Sequence, residues 1–341
     1  MMKLKDFTEV AELVRMEARR MQDEPTRLDK VSVQVHHDGA RNRFHLSIED
    51  GVEARMSEWA ALQLFQKRLG IPYEFLRERC SPALAQQIID HFKGAEQPRA
   101  LLVRLVKGRE GLRVRAVLPA SFARFDNTDL LDVAREVADG AGLKVEHFRV
   151  DAESFYCRLL FPQAVDAGTE GRPDPHHFGV FLRNSEVGMG VPEAQFTVVR
   201  QVCGNGALGI TDEPLMRLHA SSLHSVRRGR LVERFREGLE EGLKRRGVVV
   251  ETIRRARNRM VKLGDLTAAL KAIHHEHGLS LRNLDIVREA YHREVREAGG
   301  GGASVFTLAS ALNRAAQHLP GEEAIRYETA AWRYLARNAD N

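Results

Sequence analysis

Apolar residues recur along this chain with two different periods, and the switches between them mark its elements. The N-terminal run "FTEVAELVRMEARRM" has helical spacing and predicts a first helix from about Phe7 to Met21. "VSVQVHH" and "NRFHLSIE" then alternate at period 2, and the Asp38-Gly39 step between them predicts a hairpin. "MSEWAALQLFQKRLGIP" returns to the helical period. Ser57 stands at the N-cap position, Trp59, Leu62 and Phe65 or Gln66 share a face, and Gly70 and Pro72 stop it. "YEFLRERC" and "PALAQQIIDHFKG" predict two more short helices.

After "AEQPR" the pattern becomes sheet-like. "ALLVRLVKGREGLRVRAVLP" reads as strand, turn and strand, and "FDNTDLLDVAREVADGAG" as a helix capped by Asn127 or Thr128 and ended by Gly140 or Gly142. "LKVEHFRVDAESFYCRLLFP" returns to strands. The period-2 runs "HFGVFL" and "QFTVVRQV" predict an antiparallel pair that completes a core over about 100–215. From Leu223 the chain is helical. Leu231, Phe235, Leu239 and Leu243 form one apolar stripe. Ile253, Ala256, Met260 and Leu263 predict the next buried face, with Arg255, Arg259 and Lys262 aligned on another. Three more helices are predicted beyond 279, interrupted by the flexible run "AGGGGAS".

The predicted fold class is therefore α+β: a mixed or antiparallel sheet core flanked by helices, followed by an all-helical C-terminal region. The predicted parts are an N-terminal α+β part (1–98), a β-rich core (99–221), basic helices packed on that core (222–278), and a helical C-terminal region (279–341) with its glycine linker at 299–302.

Composition narrows the class. With 43% hydrophobic and 29% charged residues the chain fits a globular protein rather than a disordered one. No run approaches the roughly 18 apolar residues of a spanning helix, and the N-terminus lacks an apolar signal-peptide segment, so no membrane and a cytoplasmic location are expected. Cys80, Cys157 and Cys203 form no C-x-x-C pair and are expected to be reduced thiols. Charge is unevenly placed. Residues 226–262 hold 13 Lys/Arg against 5 Asp/Glu, a net +8 in a chain whose total is +5, so the remainder is net −3.

That distribution makes nucleic acid the leading candidate partner. Arg254, Arg255, Arg257, Arg259 and Lys262 would neutralise phosphates, extended by Arg227, Arg228 and Arg230; the bland reading is a solvated, ion-paired helix face. In "LPASFARFDN", Arg124 lies between Phe122 and Phe125, with Arg113 and Arg115 on the preceding strand. Such an arrangement suits base stacking, against the alternative that the rings are core. Arg183, Asn184 and Ser185 at one strand end, with Arg200 on its partner, would form a polar rim. The histidine groups His36-His37, His176-His177 and His274-His275 with His277 lack a metal-binding spacing, so no metal and no cofactor is expected. A hydrolase or transferase centred on Cys203, Asn205, Asn184 and Ser185 stands as an alternative, although a buried strand-end cysteine is the commoner case. Gly188, Gly190, Gly204, Gly206 and Gly209 match no nucleotide-binding glycine pattern.

Four stretches carry a family resemblance: "MSEWAALQLFQKRLGIPYEFL", "VRAVLPASFARFDNTDLLD", "LRNSEVGMG" with "QFTVVRQVCGNGALG", and "SVFTLASALNRAAQHLPGEEAIRYETAAWRYL". In this order, over about 50–335, they resemble the phage/plasmid-like bacterial family of unknown function. Asn127, Asn184, Ser185, Gly188, Cys203, Asn205 and Gly206 are the motif positions. Gly204 departs from the threonine more usual there, which puts any role of that hydroxyl in doubt. The resemblance implies a mobile-element setting and no catalytic list. The expected function is binding or annealing of single-stranded DNA in recombination or replication, without catalysis. Homo-oligomers and a protein partner docked through the C-terminal helices are further expected partners, and a protein-interaction module of a mobile element is the other alternative.

Overall fold

The computed structural model describes residues 7–49, 51–151, 153–168, 173–200, 207–217, 228–262, 264–297 and 303–339. Among these residues two six-stranded sheets carry the fold, and helices cover both, an α+β architecture with a helical C-terminal region. The first sheet contains β1 (Met21–Arg27), β2 (Val31–His37), β3 (Asn42–Ile48), β4 (Val52–Met56), β5 (Ala100–Gly108) and β6 (Gly111–Pro119), in the order β1-β5-β6-β4-β3-β2. The β2–β3 hairpin forms as expected. Its turn is held by the Asp38 carboxylate, which accepts from the Ala40 and Arg41 N–H groups at 3.1 and 2.9 Å.

The expected boundary near 98 cuts through this sheet. The β5–β6 hairpin joins the N-terminal strands, antiparallel to β1 and, through the one short β4–β6 contact, parallel to β4. The helical spacing that predicts a first helix reaching Met21 overruns its end: α1 spans Phe7–Ala18, and Met21 opens β1. "MQDEPTR" shows no apolar alternation because β1 is an edge strand, where proline is tolerated. α2 (Glu58–Phe65), α3 (Tyr73–Glu78) and α4 (Pro82–Ala95) cover the apolar face, with Ser57 accepting from Ala60 N–H at 3.0 Å as its cap. At the other edge of the sheet the Gln86 amide of α4 takes the place of a missing strand. It accepts from Val35 N–H at 3.1 Å and donates to the Val33 carbonyl at 2.8 Å.

The second sheet is antiparallel: β7 (Lys144–Val150), β8 (Phe155–Leu160), β10 (Pro175–Asn184), β11 (Glu193–Arg200) and β12 (Ala207–Arg217), with the short β9 (Val165–Asp166) on β10. The predicted β10–β11 pair is present, His176 to Arg183 against Arg200 to Glu193. Gly179 is required there, because a Cβ would lie 1.8 Å from the Leu159 carbonyl oxygen of β8. α5 (Asn127–Ala141) is capped one residue before the expected Asn127 or Thr128. Asp126 is the N-cap, and its N–H donates to the Asp129 carboxylate at 2.8 Å. α1, α5 and α6 (Arg228–Lys244) pack on the face carrying Leu159, Val180, Leu182 and Ala194, and Phe235 and Leu239 of the predicted stripe are buried in it.

The C-terminal elements are α7 (Arg246–Asn258), α8 (Leu266–Glu276), α9 (Leu284–Glu297), α10 (Val305–Ala316) and α11 (Gly321–Asn338). They share one core with Phe178, Phe196 and Val198 of the second sheet, and every residue of α10 is buried. The run 298–302 lies outside the described residues, but α10 and α11 beyond it are built into this core rather than tethered to it. α7 also ends earlier than the expected arginine alignment requires. Arg259 is extended, Met260 is exposed and bridges to Ser304, and Val261 N–H donates to Ala303 O at 2.7 Å. Pairing with the segment that leads into α10 replaces the next helical turn. Lys262 is therefore out of helical register with Arg255, Met260 leaves the predicted buried face, and Leu263 lies outside the described residues. Among the described residues no helix is long and apolar enough to cross a membrane.

Candidate nucleic-acid interface

Burial and ion pairing sort the arginines that the charge pattern singles out. Arg115 is 1% exposed, its Nη2 3.0 Å from Glu186. Arg200 is held by Asp174 at 2.9 Å and Glu294 at 3.1 Å. Arg257 pairs with the same Asp174 and lies 3.7 Å over the Phe306 ring, and its burial pushes the guanidinium pKa down to about 10. These three are structural. Arg183 and Arg124 are also committed, to Glu193 at 3.4 Å and Asp23 at 3.2 Å. Arg230, Arg254, Arg255 and Lys262 are exposed, Arg259 is half-buried, and Arg254 donates to the Asp166 carbonyl at 3.2 Å. Arg227 and the Arg228 side chain lie outside the described residues. Phe122 packs with Trp59 on Leu118 and Val187, and Phe125 packs on the core beneath α5, so neither ring stands free as a stacking platform.

The motif residues do converge, but as a joint between the two sheets. Glu186, which lies inside the quoted stretch "LRNSEVGMG" but is not among the motif positions, is 3% exposed and sits at its centre. One carboxylate oxygen pairs with Arg115, the other accepts from Asn127 N–H at 2.8 Å, and its carbonyl accepts from Arg104 Nη1 at 2.9 Å. Arg104 reaches Asp23 and Asp126, both at 2.8 Å. Asn184 donates to Phe125 O and Asn127 Oδ1 at 2.9 Å, and the Ser185 hydroxyl donates to Glu153 O at 2.8 Å. The Val187 carbonyl accepts from Trp59 Nε1 and Gln63 Nε2, and Gly188 turns the chain at φ +73° against Leu118. Asn184 and Ser185 are thus occupied in holding the turn. Cys203, Asn205 and Gly206 lie outside the described residues.

This turn covers only half of the first sheet's polar face, where Leu102, Ala116 and Leu118 meet Val187. The other half is open. Strand register sets Gln34, His45, Arg55 and Arg113 in one row across β2, β3, β4 and β6, with His36 and Arg43 paired beside it. At the usual strand spacing the row spans about 14 Å. A concavity of about 990 Å³ lies over it. The His36 and His45 rings are 4.5 Å apart, and burial, then His36 and Arg55, lower the His45 pKa, so this ring is neutral near pH 7.

Four carboxylates also line the concavity, Asp38, Glu53, Glu58 and Glu110. Asp38 is bound by Arg43 at 2.6 Å, and Glu58 by Arg41 and Arg77 at 3.2 and 3.3 Å. Arg55 and Arg113 form no ion pair among the described residues, and both are exposed. Arg55 and Arg113, beside two flat rings and alongside Glu53 and Glu110, which likewise form no ion pair among the described residues, make a surface suited to a charged, partly aromatic ligand.

Only Arg113 of this row stands among the residues that the sequence points to. The signal for the others lies in the alternation itself. If Val33, Phe44, Leu46 and Ala54 are the buried half of β2–β4, the intervening His36, Arg43, His45 and Arg55 must share the opposite face. The histidine groups do not converge otherwise. His176 and His274 are buried on carbonyls, at 2.7 Å from Asp174 O and 2.8 Å from Leu270 O, and among the described residues no cluster of three His, Cys, Asp or Glu is placed to hold a metal ion. No family model, curated protein or solved structure matches this chain.

Proposed function

We propose that the chain binds single-stranded nucleic acid, with the open half of the first sheet as its platform. The observation that carries this reading is the cross-strand row ending in Arg55 and Arg113, two exposed arginines without ion pairs among the described residues, next to the His36–His45 pair. The arginines neutralise phosphates, and the imidazole rings offer faces on which unstacked bases lie. Exposed Arg230, Arg254, Arg255 and Lys262 add sequence-independent attraction. The role is non-catalytic, single-strand binding or annealing in phage or plasmid recombination or replication, the setting implied by the family resemblance. Repeated copies of the platform laid side by side would extend a strand over several subunits.

A fluorescence-anisotropy titration with a labelled single-stranded oligonucleotide tests it. Affinity is expected to fall with salt, by about 0.7 in log–log slope for each phosphate neutralised, so replacing Arg55 and Arg113 with glutamine lowers that slope by about 1.4. Reversal of Arg254, Arg255 and Arg259 in a second variant measures the share of the helices. Absence of binding at about 50 mM salt, or binding unchanged in both variants, overturns the reading.

A further inference from the structure

Away from this platform, α9 and the C-terminal end of α10 border a half-open cavity of about 470 Å³. Arg293 and Arg296 of α9 line it, exposed and without an ion pair among the described residues. Arg314 of α10 contributes from the wall. It is only 5% exposed and is anchored through Nε to Glu294 at 2.7 Å and through Nη2 to Glu297 at 2.5 Å. Its Nη1 makes no hydrogen bond to a described residue, which leaves a rigidly positioned, charged donor in the lining of the cavity.

The acids nearby are already balanced. Asp174, Glu294 and Glu297 are met by Arg200, Arg257 and Arg314, which leaves Glu289 as the lining carboxylate opposite Arg293 and Arg296. His292 and His318 add ring donors, and Ile286 and Ala290 give the cavity an apolar side. Its volume falls in the range of small-ligand sites.

We infer that this cavity binds a phosphate monoester, the phosphate on Arg293, Arg296 and Arg314 and the organic part against Ile286 and Ala290. A planar guanidinium pair matches the geometry of phosphate oxygens, and a dianion is the charge that the uncancelled cations favour. The same chemistry arises from a free mononucleotide or from the 5′-phosphate of a nucleic-acid strand.

Isothermal titration calorimetry on the full chain separates these. Adenosine monophosphate is expected to bind and adenosine not to, and Arg293→Gln with Arg296→Gln weakens binding by about tenfold or more, both residues being on the surface so that the fold is kept. The Arg55/Arg113 variant retains this binding, which distinguishes failure here from failure of the nucleic-acid platform. In that variant, a preference for a 5′-phosphorylated over a 5′-hydroxyl oligonucleotide, without binding of the mononucleotide, assigns the source to a strand end. Equal binding of adenosine and its monophosphate, or no binding by either phosphorylated probe, overturns the inference, as does binding indifferent to Arg293 and Arg296.

Discussion

Replacing Glu186 with glutamine tests whether the buried joint couples the two sheets. The substitution keeps shape but removes the carboxylate charge that faces Arg115, 1% exposed, at 3.0 Å. Breaking one side of a buried ion pair costs about 3–5 kcal/mol. A weakened acceptor for Asn127 N–H adds about 1 kcal/mol. With a urea m-value of about 3 kcal/mol per molar for a unit of this size, the midpoint should fall by more than about 1 M.

The two tryptophans make the coupling visible. Trp59 donates to Val187 O at the joint, and Trp332 of α11 packs on the C-terminal core. Single-tryptophan versions, with the other replaced by phenylalanine, should unfold together in the parent and at separate urea concentrations in the Glu186→Gln background. Adding Arg115→Met should recover most of the loss, because removal of both charges lifts the desolvation penalty. A midpoint shift below about 0.3 M, or an Arg115→Met effect that simply adds, would refute the role given to the pair.

Gly179→Ala should destabilise the second sheet by about 3 kcal/mol or more, read as a lowered urea midpoint, since β8 must move to admit the methyl group. Gln86→Ala should cost about 1–2 kcal/mol and speed hydrogen exchange at Val35 N–H, which loses its acceptor. Deletion of 303–339 should yield an insoluble or molten chain by near-ultraviolet circular dichroism, because the buried α10 is removed with it; a folded product would restore the idea of a detachable docking region. His176 is fully buried, and burial, then Arg200, lower its pKa to about 3. The unfolded chain takes up this proton first, near pH 6.5. The stability it contributes is therefore present above that pH and is lost toward pH 3 at about 1.4 kcal/mol per pH unit. Urea midpoints at pH 7 and 5 should show that slope, and His176→Gln should flatten it by one proton.

Local chemistry is enough to specify most elements. The β2–β3 hairpin, the Ser57 and Ser304 caps, the β10–β11 pair and the Phe235–Leu239 stripe each depend on residues within a few positions of one another, where period and turn chemistry act directly. The meaning of the arginines is not legible in this way. Arg113 and Arg115 are two residues apart on one strand, yet one is exposed beside Arg55 while the other is sealed against Glu186, which lies 71 residues away. Which of them meets solvent depends on where the Asn184–Gly190 turn lands on the sheet. The membership of β5 and β6 in the first sheet likewise rests on pairing with β1 across about eighty residues. The concentrated charge of 226–262 is plain in the composition. Its division into half-buried, ion-paired struts such as Arg257 and exposed cations such as Arg255 arises only when Asp174 and Phe306 are brought to the same place, because a charge's role is set by the neighbours that long-range packing supplies.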